Sequence, residues 1–245
     1  MDLPKRGQRY TPEEYYRLER AAESKSDYYR GEIFAVANMP QEGIVGPMGL
    51  PKPVQRYTPE EYYRLERAAQ YKSDYYRGEI FAMSGGTARH SLIIMNIGGN
   101  LYPQLKGTPC TAYESNIRLK VKATELRTYP DVNIYCGPLE RDEEDPNGET
   151  YTNPTVLFEV LSKSTEAYDR GLKAENYRRI ESLRAYVLVS QHKPHAEVYE
   201  RQPDGTWNLR EASGPEAVLK IAAIGVELRL EDVYYRVDFN APDGD

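Results

Sequence analysis

The chain has 245 residues, a formal net charge of −6, 40% hydrophobic and 11% aromatic residues, enough apolar content for a globular core and too much for a disordered chain. Its unbroken apolar runs, Leu92 to Met95 among them, fall far short of the ~18 residues of a membrane span, and no apolar signal segment follows the first residues, so the protein is expected in the cytosol, off the membrane. The acidic balance argues against coating nucleic acid by charge alone but leaves room for a local cationic groove.

In chain order the first feature is a repeat. Residues 1–36 match 48–83 at an offset of 47 with 30 identities in 36 positions; only Asp2, Arg6, Gly7, Glu23, Ser24 and Val36 differ from their counterparts. A solenoid needs three or more stacked units, so this is a partial duplication. Residues 1–47 are read as a duplicate opening plus the Gly/Pro-punctuated linker ANMPQEGIVGP, and 48–245 as the domain itself. The duplicate is either functionless, its place being filled by its twin, or available for exchange between protomers.

Each copy encodes the same two elements. Thr58-Pro59-Glu60-Glu61 is a capping box with proline at the first helical position, and Tyr62, Leu65, Arg67 and Ala69 continue a short helix. Lys72–Tyr76 and Glu79–Met83 flank Arg77-Gly78, a two-residue hairpin turn. From Thr87 to Leu105 the residues Ile93, Ile94, Ile97, Leu101 and Leu105 recur at helical spacing, which predicts a long buried helix.

Three strand-like runs follow, Thr111–Val121, Asp131–Cys136 and Thr155–Leu161, then a helix over roughly Glu166–Leu183 and an apolar strand Ala185–Ser190. The order is helix, three-strand meander, helix, strand, an α/β core. Cys110 and Cys136 lie in strand-like runs and are expected as buried packing residues without a disulfide framework; two cysteines are too few for a paired-cysteine zinc site. The polar segment GPLERDEEDPNGETYTN is expected as an exposed loop joining an antiparallel pair. His192 and His195, around Lys193-Pro194, read as a solvated turn.

If Cys136 sits opposite Pro154, Asp131 falls opposite Glu159, on one sheet face with β-carbons about 4.5–5.5 Å apart. Glu159 stands in the apolar run TVLFEVL, where an unpaired carboxylate must be neutralised by a proton, a cation or a metal. Lys173 follows on the returning helix in the series Asp169, Lys173, Tyr177. Alone, Asp169 and Lys173 read as a surface i,i+4 ion pair; beside the opposed carboxylates, Lys173 is expected to face the site. Two carboxylates and a lysine are what metal-dependent phosphodiester hydrolysis needs: acids for Mg²⁺ or Mn²⁺, and a lysine to place water or offset phosphate charge.

YPDVNIYC and LFEVLSKSTEAYDRGLKAENY, with RGEIFAMSGGTARHS before the long helix and the closing VELRLEDVYYRVDF, resemble the Uma-type restriction-endonuclease-like family of the PD-(D/E)XK nuclease superfamily. The resemblance spans Tyr57 to Phe239. It implies a restriction-endonuclease-like fold with an added N-terminal helix-hairpin and C-terminal strands, a DNA substrate, and a homodimer. It also implies metal binding by Asp131 and Glu159, a catalytic Lys173, and Glu79 as a further acid, with His90 and Asp169 as accessory residues. The wider superfamily has its lysine two residues after the glutamate, where this chain has Leu161, and Lys163 competes with Lys173 for the role. Three functions stay open: a metal-dependent DNA endonuclease, a non-cleaving nucleic-acid or partner binder of the same fold, and an oligomer built by exchange of the duplicated arm.

Overall fold

The computed structural model describes residues 56–69, 71–83, 86–145 and 148–241, and the backbone of strands β1 (Ser26–Tyr29) and β2 (Glu32–Ala35). The rest of the duplicate and its linker lie outside the described residues. The chain divides into two compact units, one ending at Gly85 and one running from Gly86 to Gly244.

In the first unit, helix α1 (Pro59–Ala68) begins at the expected capping box. Thr58 Oγ1 accepts from Glu61 N at 3.2 Å, and the Glu61 carboxylate accepts from Thr58 N at 2.8 Å. β3 (Ser73–Tyr76) and β4 (Glu79–Ala82) form the hairpin, with Arg77 at φ 50° and Gly78 at φ 90°. Two positive φ values are what a type I′ turn requires, and they fit the right-handed strand twist. Tyr62, Tyr63 and Tyr75 make a small aromatic core. Buried Glu66 accepts from Ser73 N and from the Ser73 hydroxyl, tying helix to hairpin.

The second unit is built on a six-stranded sheet. Its members are β5 (Cys110–Glu114), β8 (Val132–Cys136), β10 (Val156–Leu161), β11 (Ala185–Ser190), β12 (His195–Arg201) and β13 (Trp207–Ser213). Their order is β13-β12-β11-β10-β8-β5; β10 and β11 run parallel and every other pair is antiparallel. A parallel pair needs a crossover. Residues 166–177 supply it, as α3 (Glu166–Tyr168), a π turn (Asp169–Lys173) and α4 (Ala174–Tyr177).

Strand alternation separates the sheet's faces. Val132, Ile134, Val156, Phe158, Val160, Val187, Val189 and Val198 share a core with Ile93, Ile97, Leu101 and Leu105 of the long helix α2 (Ala88–Leu105). Asn133, Leu157, Glu159, Leu188 and Glu197 take the other parity. Beyond the sheet, β6 (Arg118–Val121) pairs antiparallel with β7 (Leu126–Thr128) and parallel with β9 (Thr150–Tyr151). β14 (Val218–Ile221), β15 (Val226–Arg229) and α5 (Leu230–Val233) close the chain.

Four expectations are corrected. The run Thr111–Val121 is two strands, because Ser115 and Asn116 turn the chain and Ile117 N donates to Glu114 O at 3.2 Å. The helix expected to Leu183 ends at Tyr177, after which i→i−3 bonds at Arg179 and Ile180 tighten the chain into turns. Cys110 and Cys136 are directly opposed on β5 and β8 and joined as a disulfide, partly rather than fully buried. The segment between β8 and β10 is exposed over much of its length, but it is pinned at Asp142, Asp145, Thr150 and Thr152, which are buried.

Candidate active site

The register of β8 on β10, Val156 opposite Ile134 and Phe158 opposite Val132, continues to place Asp131 opposite Glu159. Strand alternation turns Glu159 to the face away from α2, while Asp131, one residue before β8, stays within 3.2 Å of His90 at the start of that helix. Asp131 precedes the strand proper, and its Oδ2 accepts from Val160 N at 2.7 Å, replacing the ladder bond a longer β8 would have made.

The helical stretch 166–177 brings the cation. Lys173 Nζ donates to Glu159 Oε1 at 3.0 Å and lies 3.1 Å from Asp169 Oδ1, both carboxylates being buried. Tyr177 Oη donates to the same Glu159 Oε1 at 2.8 Å, and Tyr186 Oη donates to Asp169 O at 3.0 Å. The Asp169–Lys173 pair is thus no surface pair. Lys163, the competing lysine, is exposed in the turn after β10. A π turn at this point is consistent with a functional position, since such turns widen a helix locally.

His90 enters from the first turn of α2, held by the cap in which Thr87 Oγ1 accepts from His90 N. Its Nε2 lies 3.2 Å from Asp131 Oδ2 and 3.1 Å from Val160 O. Gly86 makes the room: a Cβ there would lie 2.7 Å from His90 Nδ1. Glu79 opens β4 in the first unit, half-buried, with its carboxylate 3.5 Å from Arg56.

Burial pushes the Glu159 carboxyl well above its ordinary range; Lys173 and the Tyr177 hydroxyl oppose this, while Asp169 and Asp131 add to it. Asp169 is raised likewise, first by burial. Burial works to lower His90, but the hydrogen bond and charge of Asp131 and the Val160 carbonyl hold it above its ordinary value. Asp131, Glu159 and Asp169 bring three negative charges when ionised; Lys173 returns one, and His90 another when protonated. A divalent cation is the natural balance for such a deficit.

The donor set fits a hard ion. Among the described residues, the contacts to Glu159 fall on Oε1 and those to Asp131 on Oδ2, which leaves one oxygen of each for a ligand. Mg²⁺ and Mn²⁺ need only one or two carboxylates when water and phosphate complete the shell.

The sheet carries a second polar group that spacing did not reveal. Glu159 is opposite Leu188, Leu188 opposite Glu197, and Glu197 opposite Glu211, so one row of side chains crosses from β10 to β13. Arg170, on the same helical stretch as Lys173, grips Glu197 with two bonds of 2.7 Å. His195 and Glu197 join Glu211 as three possible metal donors within 4.8 Å of one another. Glu197, however, already accepts from Arg170 twice, from Tyr199, and contacts His195 Nε2 at 3.2 Å, which fills a carboxylate. His195, bonded also to Ser213, is therefore a strand residue and no solvated turn.

A family model described as "Putative restriction endonuclease", Uma2, matches residues 59–231. The chain belongs to the Uma2 family. Two proteins of Synechocystis sp. are similar to it. "Uncharacterized protein slr1290" is 33% identical over 157 residues, 64% of this chain and 80% of the relative. "Uncharacterized protein sll1609" is 30% identical over 140 residues, 57% and 78%. Among solved structures, the "putative nuclease belonging to DUF820" of Anabaena variabilis matches with a TM-score of 0.58 at 18% identity, over 74% of this chain and 98% of that one. The Uma2 chain thus has the restriction-endonuclease-like fold, and the matched span takes in every site residue named above.

Proposed function

We propose that this Uma2 chain is a metal-dependent endodeoxyribonuclease. The observation that carries the reading is the register that opposes Asp131 and Glu159, with Lys173 Nζ 3.0 Å from Glu159.

In this reading Asp131 and Glu159 hold Mg²⁺ or Mn²⁺. When bound, the ion supplies a water of lowered pKa and offsets charge on the scissile phosphate. The chain's own groups do the rest. Lys173 and Tyr177 occupy Glu159 Oε1, turning Oε2 outward, and Lys173 holds a proton beside the site where the attacking water is placed. His90 and the Val160 amide fix Asp131 Oδ2 and so aim its other oxygen. Asp169, 3.1 Å from Lys173 Nζ, helps hold the lysine head against Glu159. The protein acts on DNA as a homodimer in the cytosol.

The test is a Mg²⁺ and Mn²⁺ titration of wild type, Asp131→Ala and Glu159→Ala, following melting temperature and plasmid nicking. Wild type should gain stability with metal, as a ligand bound only by the folded state requires, and should nick; each variant should do neither. Metal binding by wild type without nicking would favour a non-cleaving DNA binder.

A further inference from the structure

Three cations stand side by side on the β6/β7 ribbon. Arg118 and Lys120 alternate on one face of β6, and Arg127 of β7 is directly opposite Lys120. All are buried, Arg127 completely. Carboxylates cover them. Lys120 Nζ meets Asp142 Oδ1 at 3.0 Å and Glu144 Oε2 at 2.6 Å, and lies 3.7 Å from Glu125 Oε2. Arg127 Nη2 meets Glu144 Oε2 at 2.5 Å, Glu125 Oε2 at 3.2 Å and Asp142 Oδ2 at 4.0 Å. Arg118 donates to the Tyr129 hydroxyl, to Asp145 Oδ2 at 3.3 Å and to Thr150 Oγ1 at 3.1 Å.

Stability alone is a weak reason for the arrangement, because exchanging buried ion pairs for apolar residues of similar volume is often neutral or favourable. Placement suggests a further one. β7 runs through Tyr129 and Pro130 straight into Asp131, so Arg127 lies at most about 14 Å along the chain from the candidate metal ligand. That distance is about four steps of a DNA strand, whose charges recur every ~3.4 Å. Three of the covering acids, Asp142, Glu144 and Asp145, come from one segment, and Glu144 is still 50% exposed, where solvent or a competing anion reaches it.

We infer that Arg118, Lys120 and Arg127 form a phosphate-binding platform for the DNA backbone beside the active site, and that the acidic segment 142–145 covers it in the free protein, standing where phosphates bind. The inference rests on the nuclease reading for its substrate. With the segment in place, Glu125, Asp142, Glu144 and Asp145 outnumber the three cations; with it displaced, the balance turns to the cations. DNA must therefore exchange its phosphates for these carboxylates in order to bind, which holds the free enzyme in a low-affinity state.

The test reads binding apart from cleavage. Asp142→Asn/Glu144→Gln is made in the full chain on an Asp131→Ala background, and anisotropy of a fluorescein-labelled 30-base-pair duplex is followed in EDTA across a salt series. Freeing two cations predicts binding about tenfold tighter at low salt and a log–log salt slope steeper by about 2, given ~0.9 per phosphate contact. An affinity and slope equal to those of Asp131→Ala alone, with a lower melting temperature, would make the cluster structural and overturn the inference. Should the double variant fail to fold, Glu144→Gln alone, at the half-exposed carboxylate, predicts a slope steeper by about 1, and no change there overturns it equally. Tighter binding without wild-type nicking would sink the nuclease reading and leave the platform; nicking without tighter binding would do the reverse.

Discussion

Lys173 lies between two buried carboxylates, Glu159 and Asp169. Lys173→Met leaves both facing one another in a dry setting, and breaking a buried pair in this way costs about 3–5 kcal/mol. Urea denaturation at neutral pH should show a loss of that size together with lost nicking, while Lys163→Met, at an exposed position, should show neither. A finer test concerns His90. Gly86→Ala puts a methyl against Nδ1 of a ring already held through Nε2, so the ring must leave Asp131. Nicking should fall by about 10- to 100-fold, the usual effect of losing a group that orients a metal ligand, with the melting temperature little changed. Glu197 supplies the pH signature. Arg170, by its hydrogen bonds and charge, holds Glu197 below the ordinary carboxylate range despite burial. A lowered folded pKa means stability that is present above the unfolded value and disappears as pH falls through the folded one. Glu197→Gln should therefore be less stable than wild type at neutral pH, with the gap closing in acid below about pH 4, the unfolded carboxylate range.

At the scale of elements, the crossover between β10 and β11 holds the site together, since one helical stretch delivers Arg170 to Glu197 and Lys173 to Glu159. Gly171 lies exposed inside its π turn, and an alanine methyl there would meet nothing within 4 Å, so Gly171→Ala should stabilise the protein by about 0.5–1 kcal/mol through helix propensity. Chemical denaturation checks it, and nicking should persist. The pairing of Asp131 with Glu159 was legible in the sequence because two strands of matched length flank a polar connection, and counting inward from Cys136 and Pro154 sets the register. The Lys173 position was legible from the Asp169, Lys173, Tyr177 series. Other features depend on partners remote in sequence. The Cys110–Cys136 bond needs β5 beside β8; the Arg170–Glu197 clamp needs β12 two strands from β10. The burial of Asp142 and Asp145 needs the cations of β6 and β7, and a local reading of so polar a segment points to solvent instead.

For the whole molecule, the repeat was plain in the sequence, and its backbone agrees: β1 and β2 pair Ser26 with Ala35 just as β3 and β4 pair Ser73 with Ala82, 47 residues on. The Uma2 match begins at residue 59, within the second copy. Deleting residues 1–47 should accordingly leave the melting transition and nicking unchanged, and mass in solution with and without the segment tests whether the duplicate joins protomers. The acid row across the large sheet has a consequence of its own. Glu159 and Glu197 stand two strands apart, about 10 Å at the usual strand spacing, with apolar Leu188 in between. Leu188 keeps the two acids from sharing a proton or a ligand, although their charges still act on one another through the weakly polarisable interior; the crossover is thus anchored at Arg170 by contacts distinct from those at Glu159.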